Sequence, residues 1–225
     1  SKDDKKTASE VFRKLADTAT TEAIKEEAIV RGGLISAEIG DISTSEALLA
    51  RAFQFADDSP WKSLAQVGAI FNAYTREDYD RVISLYSTGS LNTTVTDYRP
   101  KMLLVVGHSY RIKGETEYAS KLYSLIESKY PNTEEGSEAG YRKLQILYQK
   151  GDGSLPSIAG RFVANLSKSD PKSAYIDMAN LMKAEFHFSE AEKGAERNDE
   201  NYAKTNYRAA ASAYASVREA NVNEK

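Results

Sequence analysis

Two short fragments recur along this chain at nearly the same distance, and that recurrence constrains the fold more than any other feature. Val67-Gly68-x-x-Phe71 returns as Val106-Gly107-x-x-Tyr110, 39 residues on (67 to 106). Lys113-Gly114-Glu115 returns as Lys150-Gly151-Asp152, 37 residues on (113 to 150). Self-similarity with a period in the high thirties is the mark of an array of like units, each burying its apolar face against the next. The units are helical. Apolar residues recur at spacings of three and four in Val11-Phe12-Leu15, Leu48-Ala52-Phe55, Val82-Leu85-Tyr86 and Leu122-Leu125-Ile126, which paints one stripe on a helix. Twenty-nine alanines against 5 prolines favour helix throughout, and alternating β-branched runs are scarce.

Short polar breaks separate the stripes. Asp41-Ile42-Ser43-Thr44, Asp57-Asp58-Ser59-Pro60, Tyr130-Pro131-Asn132-Thr133 and Ser169-Asp170-Pro171 each stop one helix or cap the next. About eleven helices are predicted, near 5–18, 20–39, 43–57, 60–74, 76–88, 94–113, 115–129, 133–150, 154–167, 171–195 and 198–221. Links this short imply antiparallel neighbours, hence helical hairpins.

Between Pro100 and Asn132 the pattern becomes specific. Gly107, Tyr110, Gly114, Ala119, Tyr123, Ile126 and Pro131 sit at the spacings of one 34-residue frame with small, aromatic, alanine, bulky and proline positions, and in this the chain resembles the tetratricopeptide repeat family. Weaker units surround it. Leu64, Gly68 and Phe71 fit a first helix whose partner carries Val82 and Tyr86. Leu144, Tyr148, Ala159, Phe162 and Pro171 fit another unit. Ala8, Phe12 and Leu15 look like a second helix without its first, and Ala210, Tyr214 and Val217 like a final second helix. From His187 to Ala210 the chain has about fourteen residues more than the pattern, or two extra turns on each arm, so the last hairpin should be long. The stretch Ser124–Thr133, with Tyr141, Tyr148 and Lys150-Gly151-Asp152, is also similar in style to bacterial cell-envelope members, of the outer-membrane assembly lipoprotein and envelope-constriction coordinator type.

The resemblance implies an all-α, right-handed superhelical solenoid of helical hairpins, a repeat domain over 7–225 excised from a longer protein. The opening Ser1-Lys2-Asp3-Asp4-Lys5-Lys6 is expected to be a cloning remnant or linker. A bacterial periplasmic or envelope location is suggested, with the cytoplasm open.

Composition removes many chemistries. Without cysteine there is no disulfide, thiolate metal site or cysteine nucleophile, and two histidines leave little for metal or acid–base work. Thirty basic against 33 acidic residues, net −3, speak against a nucleic-acid binder, and no apolar run is long enough to span a membrane. No phosphate-cradling loop is present; Gly32-Gly33 reads as close helix packing and Gly151-Asp152-Gly153 as a turn. His187 and Glu190 are one helical turn apart, but Glu185 points elsewhere, so an inter-helix or solvated histidine is expected. Most tyrosines, including Tyr110, Tyr123, Tyr148 and Tyr214, fall at core spacings. No catalytic residue, metal or cofactor is expected.

The resemblance implies that first helices line a concave groove holding a peptide or partner segment. Its positions map onto Lys62, Ala69 and Asn72, then Lys101, Leu104, His108 and Arg111, then Arg142, Ile146 and Gln149. Basic residues in all three units suggest an acidic or C-terminal-carboxylate partner, with Arg111 and Arg142 gripping carboxylates bidentately. The chaperone-binding clamp is not reproduced, since Ala65, Ala69 and Val105 stand at its polar positions. His108 reads either as a groove contact or as packing. The expected function is thus a non-enzymatic protein-interaction scaffold. The alternatives are an assembly subunit of an envelope complex binding through its convex face, ends or final hairpin, and an array regulating an attached catalytic domain. Far-ultraviolet circular dichroism should be dominated by helix, above about two thirds of the residues, and a substantial sheet signal would remove the solenoid.

Overall fold

Residues 2–88 and 93–218 are described by a computed structural model, and among them helix is the only regular structure. Its α-helices are α1 (Lys2–Thr18), α2 (Glu22–Glu38), α3 (Ile42–Ala52), α4 (Pro60–Thr75), α5 (Tyr79–Thr88), α6 (Arg99–Ile112), α7 (Thr116–Lys129), α8 (Glu134–Gln149), α9 (Leu155–Ser169), α10 (Ala174–Glu196) and α11 (Glu200–Tyr214), with a 3-10 turn at Thr93–Tyr98. Helix makes up about four fifths of the described residues, above the two thirds expected.

One turn is used five times. It joins α2 to α3, α4 to α5, α6 to α7, α8 to α9 and α10 to α11. In each, a single residue adopts the left-handed conformation: Gly40, Glu77, Gly114, Gly151 and Asn198. The next residue sends its N–H back five positions to a carbonyl of the finished helix. These bonds are Asp41 to Ser36 (2.8 Å), Asp78 to Ala73 (2.9 Å), Glu115 to Tyr110 (2.8 Å), Asp152 to Leu147 (3.0 Å) and Asp199 to Gly194 (2.9 Å). The left-handed residue satisfies carbonyls that a helix end leaves orphaned, and the acidic residue after it starts the next helix. Asp41 Oδ1 accepts from the Thr44 N–H, Asp78 from Arg81, Asp152 from Ser154 and Asp199 from Tyr202. Hydrogen bonds from Thr44 hold the Asp41 carboxyl below the usual carboxylate range, and those from Ser154 do the same for Asp152.

The left-handed positions 40, 77, 114 and 151 follow one another at intervals of 37 residues, and 198 follows after 47. The surplus of ten residues (47 less 37) falls largely on α10, at 23 residues the longest helix described, while α11 has 15. The final hairpin is long as expected, but through one arm; α11 ends at Tyr214 rather than near 221. Other boundaries move as well, and the helix expected over 43–57 ends at Ala52. The helix expected over 94–113 begins at Arg99, because Pro100 cannot donate a backbone hydrogen bond and is accommodated at a helix start. The helix expected from about residue 5 begins at Lys2: Asp3 and Asp4 favour its N-terminus, and Lys5 Nζ lies 2.8 Å from Glu38 Oε2.

The chain groups into two compact units, Ser1–Ala119 and Ser120–Lys225. In the first unit each helix from α1 to α5 packs on its successor, and helices two apart also touch, α2 on α4 and α4 on α6. Leu49 of α3 is 1% exposed and lies in a slot lined by glycine. A Cβ on Gly33 would come within 2.7 Å of its Cγ, and one on Gly68 within 2.8 Å of its Cδ1. The Gly32-Gly33 pair is therefore a packing device, as the sequence indicates. Burying such a leucine stabilises by about 1.5–3 kcal/mol. Polar cross-links sit beside it: Asn72 Nδ2 donates to Ser45 Oγ (2.7 Å), Gln66 Nε2 to the Leu85 carbonyl (2.5 Å), and Ser9 and Ser36 share a hydrogen bond (2.9 Å).

In the second unit α8 packs on α9, α9 on α10, α8 on α10 and α10 on α11. Its core holds Leu144, Leu155, Ala159, Phe162, Leu166, Ile176, Ala179 and Phe186. At the C-terminal side the fully buried carboxylate of Asp177 accepts the N–H and Nε of Arg218, whose Nη1 and Nη2 donate to the carbonyls of Pro171 and Ser173. That fork pins the chain after α11 to the start of α10.

The repeated turn generates a prediction of opposite signs. Glu77 carries a side chain where a left-handed residue is strained, so Glu77→Gly should raise unfolding stability by about 0.5–1 kcal/mol net of the freedom glycine gains in the unfolded chain. Gly114→Ala meets open space for its Cβ and should still lower stability by about 1–2 kcal/mol, purely through the backbone. Urea midpoints of the two variants test this; equal signs would show that the turn is not under conformational control.

Candidate partner-binding site

On α6, Lys101, Leu104, His108 and Arg111 follow at spacings of three, four and three, which places them along one line of the helix over about 15 Å. Three of the four reach the surface. Lys101 is exposed, with Nζ 5.6 Å from the centre of the Phe71 ring on α4. His108 is half-buried, its Nδ1 3.3 Å from the Tyr74 hydroxyl, also on α4. Arg111 is half-buried, its Nε is enclosed without a hydrogen-bond partner, and no carboxylate among the described residues is within ion-pair distance of it. A partly desolvated guanidinium without a counter-charge is costly unless something arrives to neutralise it. Leu104, expected in the groove, is 7% exposed and belongs to the core.

The α4 positions expected beside this stripe turn out to face elsewhere. Lys62 Nζ is spent on the Phe55 carbonyl (3.1 Å) and Asp57 Oδ1 (2.6 Å), closing the loop before α4 and holding the Asp57 carboxyl below its usual range. Ala69 and the buried Asn72 line a separate cleft of about 310 Å³ with Phe53, Arg76 and Arg81, toward α3 and α5. Phe71 and Tyr74 are the residues that face α6, a rotation of the helix that spacing alone does not reveal.

In the second unit Arg142 is neutralised within its own helix. Its Nε and Nη2 donate to Glu138 Oε1 (3.0 and 2.8 Å), and its Nη1 to Gln145 Oε1 (3.1 Å). Ile146 is buried, and Gln149 is exposed at the end of α8. The basic stripe expected through three units therefore contracts to α6, because Lys62 and Arg142 have carboxylates of their own within reach.

A second surface was not legible in the sequence. Tyr141, Gln145, Tyr148 and Gln149 of α8 face Met178, Leu181, Met182 and Glu185 of α10 across a groove of about 340 Å³. Tyr148 and Tyr214, assigned to the core by their spacing, are 39% and 38% exposed. Their one-turn spacing is the same for a core stripe and a groove stripe, and only the neighbouring helix decides between them. The Tyr214 hydroxyl donates to Glu185 Oε1 (2.6 Å), and that bond, with some desolvation and the carboxylate charge, pushes the phenol up to about 12. Tyr202 with Glu190 and Tyr207 with Glu192 repeat the pairing along the last hairpin, and both phenols are raised by their carboxylates. His187 bridges to Asn206 on α11 (2.9 Å), the inter-helix role expected of it, while Glu190 is taken by Lys193 and Tyr202. No cluster of three metal-ligating side chains occurs among the described residues, and no described helix is long and apolar enough to cross a membrane.

Compared with known proteins, the chain matches no family model and no curated protein.

The Tyr214–Glu185 pair sets an alkaline signature. The folded phenol keeps its proton to about pH 12, whereas an unfolded tyrosine loses it near 10.0, so the pair's contribution is complete below pH 10.0 and is lost as pH rises toward 12. Ultraviolet titration of the tyrosines should show one fewer late-ionising phenol in Tyr214→Phe, and Glu185→Gln should return Tyr214 toward its ordinary value. An unchanged number in both variants would break the assignment.

Proposed function

We propose that this chain is a non-enzymatic protein-interaction scaffold, a solenoid of tetratricopeptide type, whose α6 face binds a carboxylate-bearing peptide segment. The five repeated turns, the 37-residue interval and the contacts between helices two apart support the repeat reading. The binding reading is carried by one observation: Arg111, half-buried and with no carboxylate among the described residues within ion-pair distance, shares a face with exposed Lys101 and with His108. A carboxylate arriving there gains a planar donor fork and a second cation about 15 Å along the helix, with Phe71 and Tyr74 as an aromatic floor. Both helices are formed before binding, so little ordering cost falls on the scaffold.

A second reading has its own observation. Phe188, Tyr202, Tyr207 and Tyr214 are all exposed on the last hairpin, as suits an assembly subunit docking through that end.

A fluorescein-labelled Gly-Ser-Asp-Glu-Asp-Glu peptide separates the two. Lys101→Glu with Arg111→Glu should weaken its binding by roughly a hundredfold, two charge-assisted contacts being lost, while leaving the helical melt in place. Arg142→Glu should change it little. Comparing the free and the amidated C-terminus distinguishes a terminal carboxylate from side-chain carboxylates. Binding that survives the pair and falls instead with Phe188→Ser and Tyr207→Ser would transfer the function to the hairpin.

A further inference from the structure

We propose that the groove between α8 and α10 is a receptor for a single lysine or arginine side chain of a partner peptide, held by its stem against tyrosine and methionine and by its charge against Glu185. The groove has two chemically different ends. At one, Tyr141 and Met178 stand together, and Tyr141 is fixed by ring contact with Tyr175, whose centroid is 5.3 Å away. At the other, seven residues or about 10 Å further along each helix, are Tyr148 and Glu185. Met182 lines the middle. An occupant must therefore be apolar along most of its length and polar at its tip.

The sign of that tip follows from the charges. Glu185 is the only ionised group among the lining residues. Arg142 on α8 is bound to Glu138 and is not among the residues that line the groove. Glu185 is exposed; its Oε1 accepts the Tyr214 hydroxyl at 2.6 Å, which orients the carboxylate, and its Oε2 has no hydrogen-bond partner among the described residues. Tyrosine faces attract a cation, and the thioethers of Met178 and Met182 adapt to a flexible alkyl stem. Lysine and arginine combine such a stem with such a head, whereas an acidic side chain would be repelled and a purely apolar one would leave Oε2 unanswered. The chemistry is opposite to that of the α6 face, so a partner engaging both surfaces carries an acidic segment and, separately, a basic side chain. The two sites lie in different units and rest on different observations, and the failure of one leaves the other standing.

The chain has three methionines, which supplies the test. Met178 and Met182 line the groove, while Met102 is fully buried in the first unit and acts as an internal control. With the full chain labelled at its methionine methyls, acetylated and amidated Gly-Ser-X-Gly-Ser peptides are titrated with X as lysine, arginine, citrulline, norleucine or glutamate. The lysine and arginine peptides should shift Met178 and Met182 saturably and leave Met102 in place. Citrulline and norleucine should bind roughly tenfold more weakly, since each removes the charge and keeps the stem. Glu185→Gln should weaken lysine and arginine by a similar factor and abolish their advantage, while Glu192→Gln, elsewhere on α10, should not. Equal binding of norleucine and lysine, indifference to Glu185→Gln, or movement of Met102 together with the other two would each overturn the proposal; an unmoved Met102 signal in Glu185→Gln reports that the variant is folded.

Discussion

Everything regular in this molecule depends on how a helix is ended. A helix leaves its last carbonyls without partners, and here the solution at five ends is one left-handed residue followed by an acidic one whose N–H reaches back five positions. The left-handed step reverses the chain within three residues, and in four of the five turns the aspartate side chain accepts a backbone N–H two or three residues on. Because both ends of the turn are satisfied locally, each helix pair is specified by its own sequence. The 37-residue interval between turns then fixes how long two helices and their outer link can be, and ten further residues at the last interval appear as the added length of α10.

Packing within and between the pairs is set by where side chains are absent. Leu49 fits only because Gly33 and Gly68 present no Cβ to it. In the second unit a Cβ on Gly140 would lie 2.5 Å from the Phe162 ring, and one on Gly194 would lie 2.9 Å from the Ala203 backbone. Close approach brings helices two apart into contact, α2 with α4, α4 with α6 and α8 with α10, and leaves a line of side chains between each such pair. Those lines are the surfaces from which binding is proposed, and they differ because of the acids nearby. Arg142 has Glu138 one turn away and Lys62 has Asp57 across its loop, whereas Arg111 has neither. The groove between α8 and α10 is anionic for the complementary reason, that Glu185 accepts the Tyr214 hydroxyl and no cation is among its described lining residues.

Read by itself, the sequence determines the helices, the period and the pairing, because these rest on local rules: three-and-four spacing, caps, and the Gly114-Glu115 and Gly151-Asp152 turns. Three more copies of that turn were present at Gly40-Asp41, Glu77-Asp78 and Asn198-Asp199 but hidden, the first by lacking the preceding lysine and the other two by carrying glutamate and asparagine in the glycine position. The site was legible only in part. Lys101, His108 and Arg111 share a helix face as their spacing implies, but Ala69 and Asn72 give way to Phe71 and Tyr74, and Tyr148 and Tyr214 leave the core for the surface. These outcomes were decided by tertiary structure, since a stripe looks the same in sequence whether a neighbouring helix covers it or not. The charge of each surface was settled there too: a cation's availability depends on whether a carboxylate lies within a few ångströms, and that distance exists only once the helices have packed.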